Sequence, residues 1–255
     1  MLIAQLTDTH ITVPQNKNEN CYVKLEALQK CVVQINELDT LPDVVIHTGD
    51  LCHNGHKDEY KLTKSVMDEL QVPYLITAGN RDSVKNLIKE FDLKSIEIVD
   101  QLFLQYSTDI ASYRLVSVDT SSHDSNLGCL DFPKLAHLDK LLGQRPYCPT
   151  IVFMHHPPIK LSSSETPTHE YENYRMIQNF AEIVDRHPQI IALFCGHIHR
   201  SFSSYINTSP VVVMPPLSKK LHRGMSDKSE VPEIAFCLHS FQENEFESTT
   251  FVTVN

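Results

Sequence analysis

The stretch that decides the fold is LIAQLTDTH, residues 2–10, in which a short apolar run is followed by two side chains able to bind metal ions. The run Leu2–Leu6 reads as a buried strand, and Asp8 and His10 come directly after it. In open α/β sheets, ligands bind in the crevice beyond the carboxyl ends of the strands. The position of Asp8 and His10 is therefore typical of a ligand-binding site.

The same arrangement occurs at four further places in the chain. Apolar, strand-like runs are found at 44–46, 74–76, 151–154 and 190–194. The metal-capable side chains that follow them are, in order, Asp50, Asn80, His155, and the pair His197 and His199. Seven side chains supply the eight ligand bonds of two four-coordinate ions if the carboxylate of Asp50 binds both ions. The sequence therefore predicts a two-metal centre at one edge of the fold.

Between these runs, apolar residues recur at helical spacing. Helices are predicted at about 22–38, 60–70, 84–91, 135–142 and 174–184. Up to residue 91, strands and helices alternate, which favours a parallel sheet. Strands are then predicted at Gln101–Tyr106 and Ser112–Val118 with no helix between them, so part of a sheet is expected to be antiparallel. Three further strands are predicted in the tail, at 211–214, 234–238 and 249–254.

These elements predict a mixed α/β fold of two packed sheets with helices on their outer faces. The length of 255 residues suits one domain, and no internal repeat or low-complexity linker divides the chain. We therefore expect a single domain over 1–255, in which about 201–255 supplies the last strands and a loop on the substrate side. Two long polar segments, Pro157–Tyr171 and Leu217–Pro232, are expected to lie beside the metal centre.

Composition restricts the partners and the compartment. The formal net charge of −10 disfavours binding to nucleic acid. No apolar run approaches the roughly 18 residues of a membrane-spanning helix, and the N-terminus does not read as a signal peptide. The seven cysteines form no CxxC pair, which favours reduced thiols in a cytoplasmic protein. The sequence leaves open whether the chain forms a homodimer.

The metal-capable residues also match a known pattern, which runs DxH, GD, GNH(D/E), H and GHxH. In this chain it reads DTH at 8–10, GD at 49–50, GNRD at 79–82, His155, and GHIH at 196–199. The chain thus resembles the calcineurin-like binuclear metallophosphoesterases, and most of all their bacterial branch of class III cyclic-nucleotide phosphodiesterases and glycerophosphodiesterases. The resemblance spans residues 1 to about 200 and implies a four-layer αββα sandwich.

The resemblance also implies how the ligands are shared between the ions. Asp8, His10, Asp50 and His199 would hold one ion, and Asp50, Asn80, His155 and His197 would hold the other. The family is described with Fe, Mn, Zn or Co. The sequence does not choose among them, because mixed nitrogen and oxygen ligands suit several first-row metals.

Arg81 departs from the pattern, which has histidine after the asparagine. The resemblance implies that this histidine contacts the phosphate and helps to protonate the leaving oxygen. Arginine cannot donate a proton near neutral pH, since its pKa exceeds about 12, but it can clamp a phosphoryl oxygen. We therefore expect Arg81 and His156 to bind substrate and, with Asn80, to serve catalysis, His156 or water supplying the proton. The alternative is that Arg81 points away and pairs with Asp82 or another acid.

The predicted activity is hydrolysis of a small phosphodiester, such as a cyclic nucleotide, by two ions that activate a bridging water. No contact with nucleic acid or membrane is expected. A phosphomonoesterase or a nucleotide pyrophosphatase is the alternative within enzymes. A non-catalytic metal-binding scaffold is the alternative from another class, and the arginine at position 81 is the one feature that favours it.

Overall fold

The computed structural model of the protein describes residues 1–13, 19–93, 103–161, 168–217 and 234–254. The helices are α1 (Glu19–Asn36), α2 (Lys57–Met67), α3 (Val84–Glu90), α4 (Phe132–Gly143) and α5 (Tyr174–Arg186). The strands up to the middle of the chain are β1 (Leu2–Leu6), β2 (Val44–His47), β3 (Tyr74–Ile76), β4 (Tyr106–Ile110), β5 (Tyr113–Val118) and β6 (Thr150–Met154). The later strands are β7 (Lys160–Leu161), β8 (Thr168–His169), β9 (Ile190–Cys195), β10 (Phe202–Ile206), β11 (Ser209–Val213), β12 (Ala235–Gln242) and β13 (Glu245–Thr253).

Two mixed sheets form the centre of the molecule. The first has the order β13-β12-β1-β2-β3, in which β1, β2 and β3 are parallel and β12 and β13 are antiparallel. The second has the order β10-β11-β9-β6-β5-β4, with parallel central strands and antiparallel strands β10 and β4 at its edges. Strands β7 and β8 form a separate short hairpin. The parallel strands of both sheets carry the residues that precede the candidate site.

Alternation along each central strand explains the layers. Side chains of a strand point alternately to its two faces. In β2, Val44 and Ile46 pack in the core between the two sheets, whereas Val45 packs against α1 and α2. In β6, Phe153 joins the core between the sheets and Val152 faces α4 and α5. The predicted four layers, helix, sheet, sheet and helix, are confirmed.

The region after α3 differs from the prediction. A strand was expected over Gln101–Tyr106, but β4 begins only at Tyr106 and runs to Ile110. Residues 101 and 102 lie outside the described part of the chain. The backbone N–H of Leu104 donates to Asp119 Oδ2 at 2.6 Å, and Gln105 Nε2 donates to the Lys134 carbonyl at 2.9 Å. These contacts hold the segment against a loop and α4, so it does not extend the sheet.

The tail also contains a strand that the pattern did not predict. Strand β10 pairs antiparallel with β11 across a turn that contains Asn207, whose φ of 52° lies in the left-handed region. Its sequence FSSYI has polar residues at its second and third positions, so it carries little apolar signal. Strands β10 and β11 extend the second sheet, whereas β12 and β13 complete the first. The C-terminal strands therefore belong to both sheets.

Two expectations drawn from composition can be compared with the structure. Among the helices of the described ranges, none has the combination of length and hydropathy that crossing a bilayer requires. The described cysteines are all free thiols: Cys31, Cys52, Cys129, Cys148, Cys195 and Cys237.

The predicted loop at 217–232 lies outside the described residues apart from Leu217, as do residues 162–167 of the loop predicted at 157–171.

Candidate metal centre

The seven side chains predicted to bind metal meet at one edge of the two sheets. Asp8 and His10 follow β1, Asp50 follows β2 and Asn80 follows β3, so the first sheet supplies four of them. His155 follows β6, and His197 and His199 follow β9, so the second sheet supplies three. The strands that precede them are parallel within each sheet, which brings their carboxyl ends to a common edge.

The first group of donor atoms surrounds Asp8. The Nε2 atom of His199 lies 3.2 Å from Asp8 Oδ1 and 3.2 Å from His10 Nε2. His10 Nε2 is 3.7 Å from Asp8 Oδ1 and 3.6 Å from Asp50 Oδ2. Four donor atoms thus face one small volume.

The second group surrounds Asn80. Its Oδ1 atom lies 3.1 Å from His155 Nε2 and 3.1 Å from His197 Nδ1, and these two nitrogens are 3.3 Å apart. His155 Nε2 is also 3.5 Å from Asp50 Oδ1. The carboxylate of Asp50 therefore points one oxygen at each group, as a bridging ligand does.

The donor set fits two metal ions. Ligand atoms about 2.1 Å from a tetrahedral ion lie roughly 3.4 Å apart, and the spacings within both groups are close to this value. Asp8 Oδ1 is buried and makes no hydrogen bond of normal geometry within the described residues, which is costly unless a cation is its partner. Imidazole nitrogens mixed with carboxylate and amide oxygens suit several first-row metals, so the ligands do not identify the metal.

A hydrogen bond behind His155 leaves the correct ring nitrogen facing the second group. His155 Nδ1 is 2.8 Å from the Thr48 carbonyl, and a carbonyl can only accept, so Nδ1 carries the proton. Its Nε2 lone pair is then directed at the second group. Thr7 Oγ1 and the backbone N–H of His197 donate to Asp8 Oδ2, which holds that carboxylate in place.

The backbone at the ligands differs from what the pattern suggested. The spacing of Asp8 and His10 predicted an extended stretch in which alternate side chains share a face. Instead five ligand residues have φ between 45° and 73°, in the left-handed region; they are Asp8, His10, Asp50, His197 and His199. Residues with a Cβ rarely adopt this conformation, and each costs about 1–3 kcal/mol. The strain is concentrated where the side chains must converge.

Two glycines allow the ligand loops to approach each other closely. A Cβ added at Gly79 would lie 2.2 Å from Asp50 Oδ1 and 2.3 Å from the backbone nitrogen of Asp50. A Cβ added at Gly196 would lie 2.1 Å from Thr7 Oγ1 and 2.6 Å from Asp8 Oδ2. The glycines of the sequence motifs are therefore required by space at the centre.

Burial sets the charge of the site. It lowers the pKa of His10 to about 2 and also lowers the pKa values of His155 and His197, so these imidazoles are neutral near pH 7. Neutral imidazole is the form that binds metal. Burial, together with the nearby carboxylate of Asp8, raises the pKa of Asp50 to about 7. Two buried carboxylates this close favour the binding of cations between them.

Asp82 connects the loops that carry Asp50 and Asn80. Its carboxylate accepts hydrogen bonds from the backbone of Leu51, Cys52 and Gly79 and from the hydroxyl of Tyr60. The sequence did not assign it this role. Ser83 caps α3, its side-chain oxygen accepting a hydrogen bond from the backbone N–H of Asn86.

Arg81 lies at the rim of the centre. Its backbone N–H donates to Asp50 Oδ1 at 2.8 Å, and its side chain is exposed. Within the described residues the guanidinium makes no ion pair with Asp82, whose oxygens are used by the contacts above. The catalytic role of Arg81 stays a prediction.

His156 is buried behind the second group. Its Nε2 is 3.1 Å from the Asn126 carbonyl, and its Nδ1 is 2.8 Å from Thr120 Oγ1. Since the carbonyl only accepts, Nε2 carries the proton and Nδ1 accepts from the threonine hydroxyl. The ring centroid lies 4.2 Å from that of His197. Both ring nitrogens of His156 are thus in hydrogen bonds, and its ring packs against the candidate metal ligand His197. Its role as a proton donor stays a prediction.

Two residues beside the second group were missed by the sequence reasoning. Glu170 Oε2 lies 3.0 Å from His197 Nε2, and Asn126 Oδ1 lies 3.4 Å from Asn80 Nδ2. Both are in irregular segments with no apolar periodicity and no motif spacing, so the sequence did not single them out, although Glu170 lies in the segment 157–171 that was predicted beside the metal centre.

The four-layer fold and the two adjoining donor groups define a protein built to hold a pair of metal ions. The chain belongs to the calcineurin-like phosphoesterase family, whose family model matches residues 1–201. The family expected from the motifs is thereby confirmed.

Named relatives lie in the predicted branch. A probable glycerophosphodiester phosphodiesterase from Arcobacter nitrofigilis is 32% identical over 203 residues, which is 78% of this chain and 72% of that protein. A 3',5'-cyclic-nucleotide phosphodiesterase from Nostoc sp. is 26% identical over 200 residues, which is 78% of this chain and 72% of that protein.

Among solved structures, a dimetal phosphatase from Danio rerio matches with a TM-score of 0.70 at 12% identity, over 100% of this chain and 99% of that chain. A purple acid phosphatase from yellow lupin matches with a TM-score of 0.60 at 15% identity, over 99% of this chain and 53% of that chain. At these identities the likeness supports the fold alone.

Proposed function

We propose that the protein hydrolyses small phosphodiesters at a centre of two metal ions. The observation that carries the proposal is the position of Asp50, whose Oδ2 is 3.6 Å from His10 Nε2 and whose Oδ1 is 3.5 Å from His155 Nε2. One carboxylate thus serves two donor groups. Relatives named as glycerophosphodiester and cyclic-nucleotide phosphodiesterases support the choice of a diester.

In this proposal the two groups hold one ion each. The first ion is bound by Asp8, His10, Asp50 and His199, and the second by Asp50, Asn80, His155 and His197. Bound ions would polarise the phosphate oxygens and lower the pKa of a coordinated water. The neutral imidazoles and the backbone-anchored carboxylates keep the donor atoms in place before substrate arrives, which lowers the reorganisation needed in the reaction.

Arg81 would bind the substrate and would not transfer a proton. Arg81 follows Asn80 directly and its side chain is exposed at the rim of the centre, which supports a role in binding substrate. A guanidinium stabilises negative charge on phosphoryl oxygens but stays protonated throughout. We infer that substrates with good leaving groups react fastest, because His156 has both ring nitrogens in hydrogen bonds.

We also infer that residues 1–255 act as one domain and that the substrate is a small molecule. The C-terminal strands β12 and β13 complete the sheet that begins with β1, which supports the single domain. The net charge of −10 argues against a nucleic-acid substrate. The free cysteines support a reducing, cytoplasmic compartment.

The proposal is tested by comparing two activated esters on the protein loaded with Mn²⁺. We expect kcat/KM for bis-p-nitrophenyl phosphate to exceed that for p-nitrophenyl phosphate, since the centre is proposed to act on diesters. A higher value for the monoester would instead indicate a phosphomonoesterase. If elemental analysis finds two bound ions and neither ester is hydrolysed, the protein is a non-catalytic metal-binding scaffold. Glycerophosphodiesters, cyclic AMP and cyclic GMP should then be screened.

A further inference from the structure

Glu170 contacts a candidate ligand without belonging to either donor group. Its Oε2 atom lies 3.0 Å from His197 Nε2, on the side of the imidazole ring opposite the donor group. A quarter of the Glu170 side chain is exposed, whereas the His197 side chain is only 11% exposed. The contact is therefore partly shielded from water, where a charge-assisted hydrogen bond is stronger than at a free surface.

This contact decides which nitrogen of His197 is available to a metal. An ionised carboxylate only accepts hydrogen bonds, so His197 Nε2 carries the proton. The Nδ1 atom then has a lone pair, and it is this atom that lies 3.1 Å from Asn80 Oδ1 and 3.3 Å from His155 Nε2. Without an acceptor at Nε2, nothing in this contact would favour that tautomer, and the ring could rotate.

The segment that carries Glu170 is itself held in place. The backbone N–H of Gly128 donates to the Glu170 carbonyl at 2.7 Å, and that of Glu172 donates to the Gly128 carbonyl at 3.0 Å. Asn126, two residues before Gly128, contacts Asn80 and His156. Gly128 leaves room for this pairing, since an added Cβ would lie 2.8 Å from the Tyr171 ring. Glu170 is thus presented from a paired backbone segment.

Two other imidazoles of the centre, those of His155 and His10, have different surroundings at the nitrogen that faces away from the donor groups. His155 uses the neutral carbonyl of Thr48. His10 Nδ1 is buried and has no hydrogen-bond partner within the described part of the chain. Of the imidazoles of His10, His155 and His197, that of His197 is therefore the one with a carboxylate behind its ring.

We propose that Glu170 is a positioning residue that selectively strengthens the binding of the second metal ion through His197. The inference rests on the proposed two-ion centre. A carboxylate behind a metal-bound histidine fixes the ring and raises its basicity, and loss of such partners typically costs about 10–100-fold in metal affinity. Glu170 contacts His197, a ligand of the second ion, so the first ion should keep its affinity.

The test is a metal titration of the whole chain in four forms: wild type, Glu170→Ala, Glu170→Gln and Glu172→Gln. Equilibrium dialysis against Mn²⁺ with elemental analysis gives two dissociation constants. We expect Glu170→Ala to weaken one of them by about 10–100-fold and to leave the other unchanged. Glu170→Gln keeps a neutral acceptor and should fall between Ala and wild type. Glu172→Gln removes the same charge two residues away, where the carboxylate contacts Ser122, and should match wild type.

Electron paramagnetic resonance supplies a second readout that does not depend on turnover. At a metal concentration that fills both sites of the wild type, Glu170→Ala should show isolated Mn²⁺ in place of the coupled pair. Unchanged constants in Glu170→Ala would overturn the proposal, and so would an equal loss at both sites. If Glu170→Ala does not fold, a Glu170→Gln protein with wild-type constants overturns it. A wild type that binds fewer than two ions would instead refute the two-ion function itself.

Discussion

At the scale of single residues, the centre depends on positions where no side chain fits. Gly79 packs its Cα against Asp50, and a Cβ there would lie 2.2 Å from the carboxylate oxygen that faces the second group. Space at this position therefore controls the placement of Asp50, the proposed bridging ligand.

We expect Gly79→Ala to lower kcat/KM by about 100-fold, because displacement of a reacting group by about 1 Å has an effect of this size. The measurement is steady-state hydrolysis of bis-p-nitrophenyl phosphate together with bound metal per chain. Gly143→Ala is the matched control, since a Cβ added at Gly143 meets no atom within 4 Å. Equal activity in the two variants would contradict this account of Gly79.

The arginine at position 81 allows a prediction about the leaving group. Arg81→His restores the side chain that the family pattern has at this place. A histidine can protonate a leaving oxygen, and general acids contribute about 10²–10⁴-fold. We expect Arg81→His to raise kcat/KM for an alkyl phosphodiester by roughly 10-fold relative to that for bis-p-nitrophenyl phosphate. This is less than general acids usually contribute, because the side chain at position 81 is exposed.

The quantity to measure is the ratio of kcat/KM for the two esters in wild type, Arg81→His and Arg81→Lys. Lysine keeps the positive charge and should leave the ratio near its wild-type value. A ratio that Arg81→His does not change would show that protonation of the leaving group does not limit the alkyl ester.

The sequence predicted which side chains meet at the candidate metal centre, for a physical reason. Each of them follows a buried strand, and the parallel strands end at a common edge, so an apolar run ending in a polar side chain is a reliable marker. The backbone of those residues could not be read in the same way, because left-handed φ values at Asp8 and His10 follow from convergence of loops distant in sequence. Glu170 and Asn126 were missed because loop residues acting on a ligand have no periodicity.

At the scale of elements, strand β12 contacts the second sheet through a buried histidine. Its His239 is fully buried, stacks on Phe194 of the second sheet with ring centroids 3.8 Å apart, and lies 2.9 Å from Gln5 Oε1 in β1. Gln5 Nε2 in turn donates to the Cys195 carbonyl at 3.0 Å. Two consecutive hydrogen bonds through Gln5 thus link β12, β1 and β9.

Burial lowers the pKa of His239 to about 3, which predicts a pH dependence of stability. The unfolded chain takes up a proton near pH 6.5 and the folded one does not, so stability is complete above pH 6.5 and falls as the pH drops towards 3. Between pH 7 and pH 5 we expect the unfolding free energy of wild type to fall by about 2 kcal/mol more than that of His239→Gln.

Urea unfolding in the presence of a chelator measures this difference, because the metal ligands then contribute equally to both proteins. Parallel curves of unfolding free energy against pH for the two proteins would show that His239 titrates normally in the folded state.

The strand pairing also shows which boundaries the sequence could not define. Strand β4 begins later than its alternating pattern suggested, because the preceding residues bind Asp119 and α4. Strand β12 was predicted to end at 238 but continues to Gln242, where it pairs with the last strand β13. Partners distant in the chain set these limits, and the local pattern does not contain them.

At the scale of the whole molecule, the centre connects the two sheets. The first sheet supplies Asp8, His10, Asp50 and Asn80, and the second supplies His155, His197 and His199. A ligand that binds only the folded state stabilises it by about 2.7 kcal/mol at 100 times its Kd. Bound ions should therefore hold the sheets together as well as serve catalysis.

We expect a chelator to lower the melting temperature by about 5–10 °C for each site emptied, given the usual response of chains of this size. Differential scanning calorimetry with and without EDTA measures the shift. Asp50→Asn, which weakens both sites, should show a much smaller shift, and the exposed Asp58→Asn should behave as wild type. A shift as large in Asp50→Asn as in wild type would mean that the stabilising metal is bound elsewhere.

The pairing of β1 with β12 has a consequence for biosynthesis. Leu2 lies opposite Ser240, so β1 is synthesised long before the strand that covers its open edge. Until then the nascent chain presents an apolar template to which other chains could add. Contacts so distant in sequence also slow folding. Metal loading is therefore expected to follow the synthesis of β12, and chaperones would have most to do during that interval.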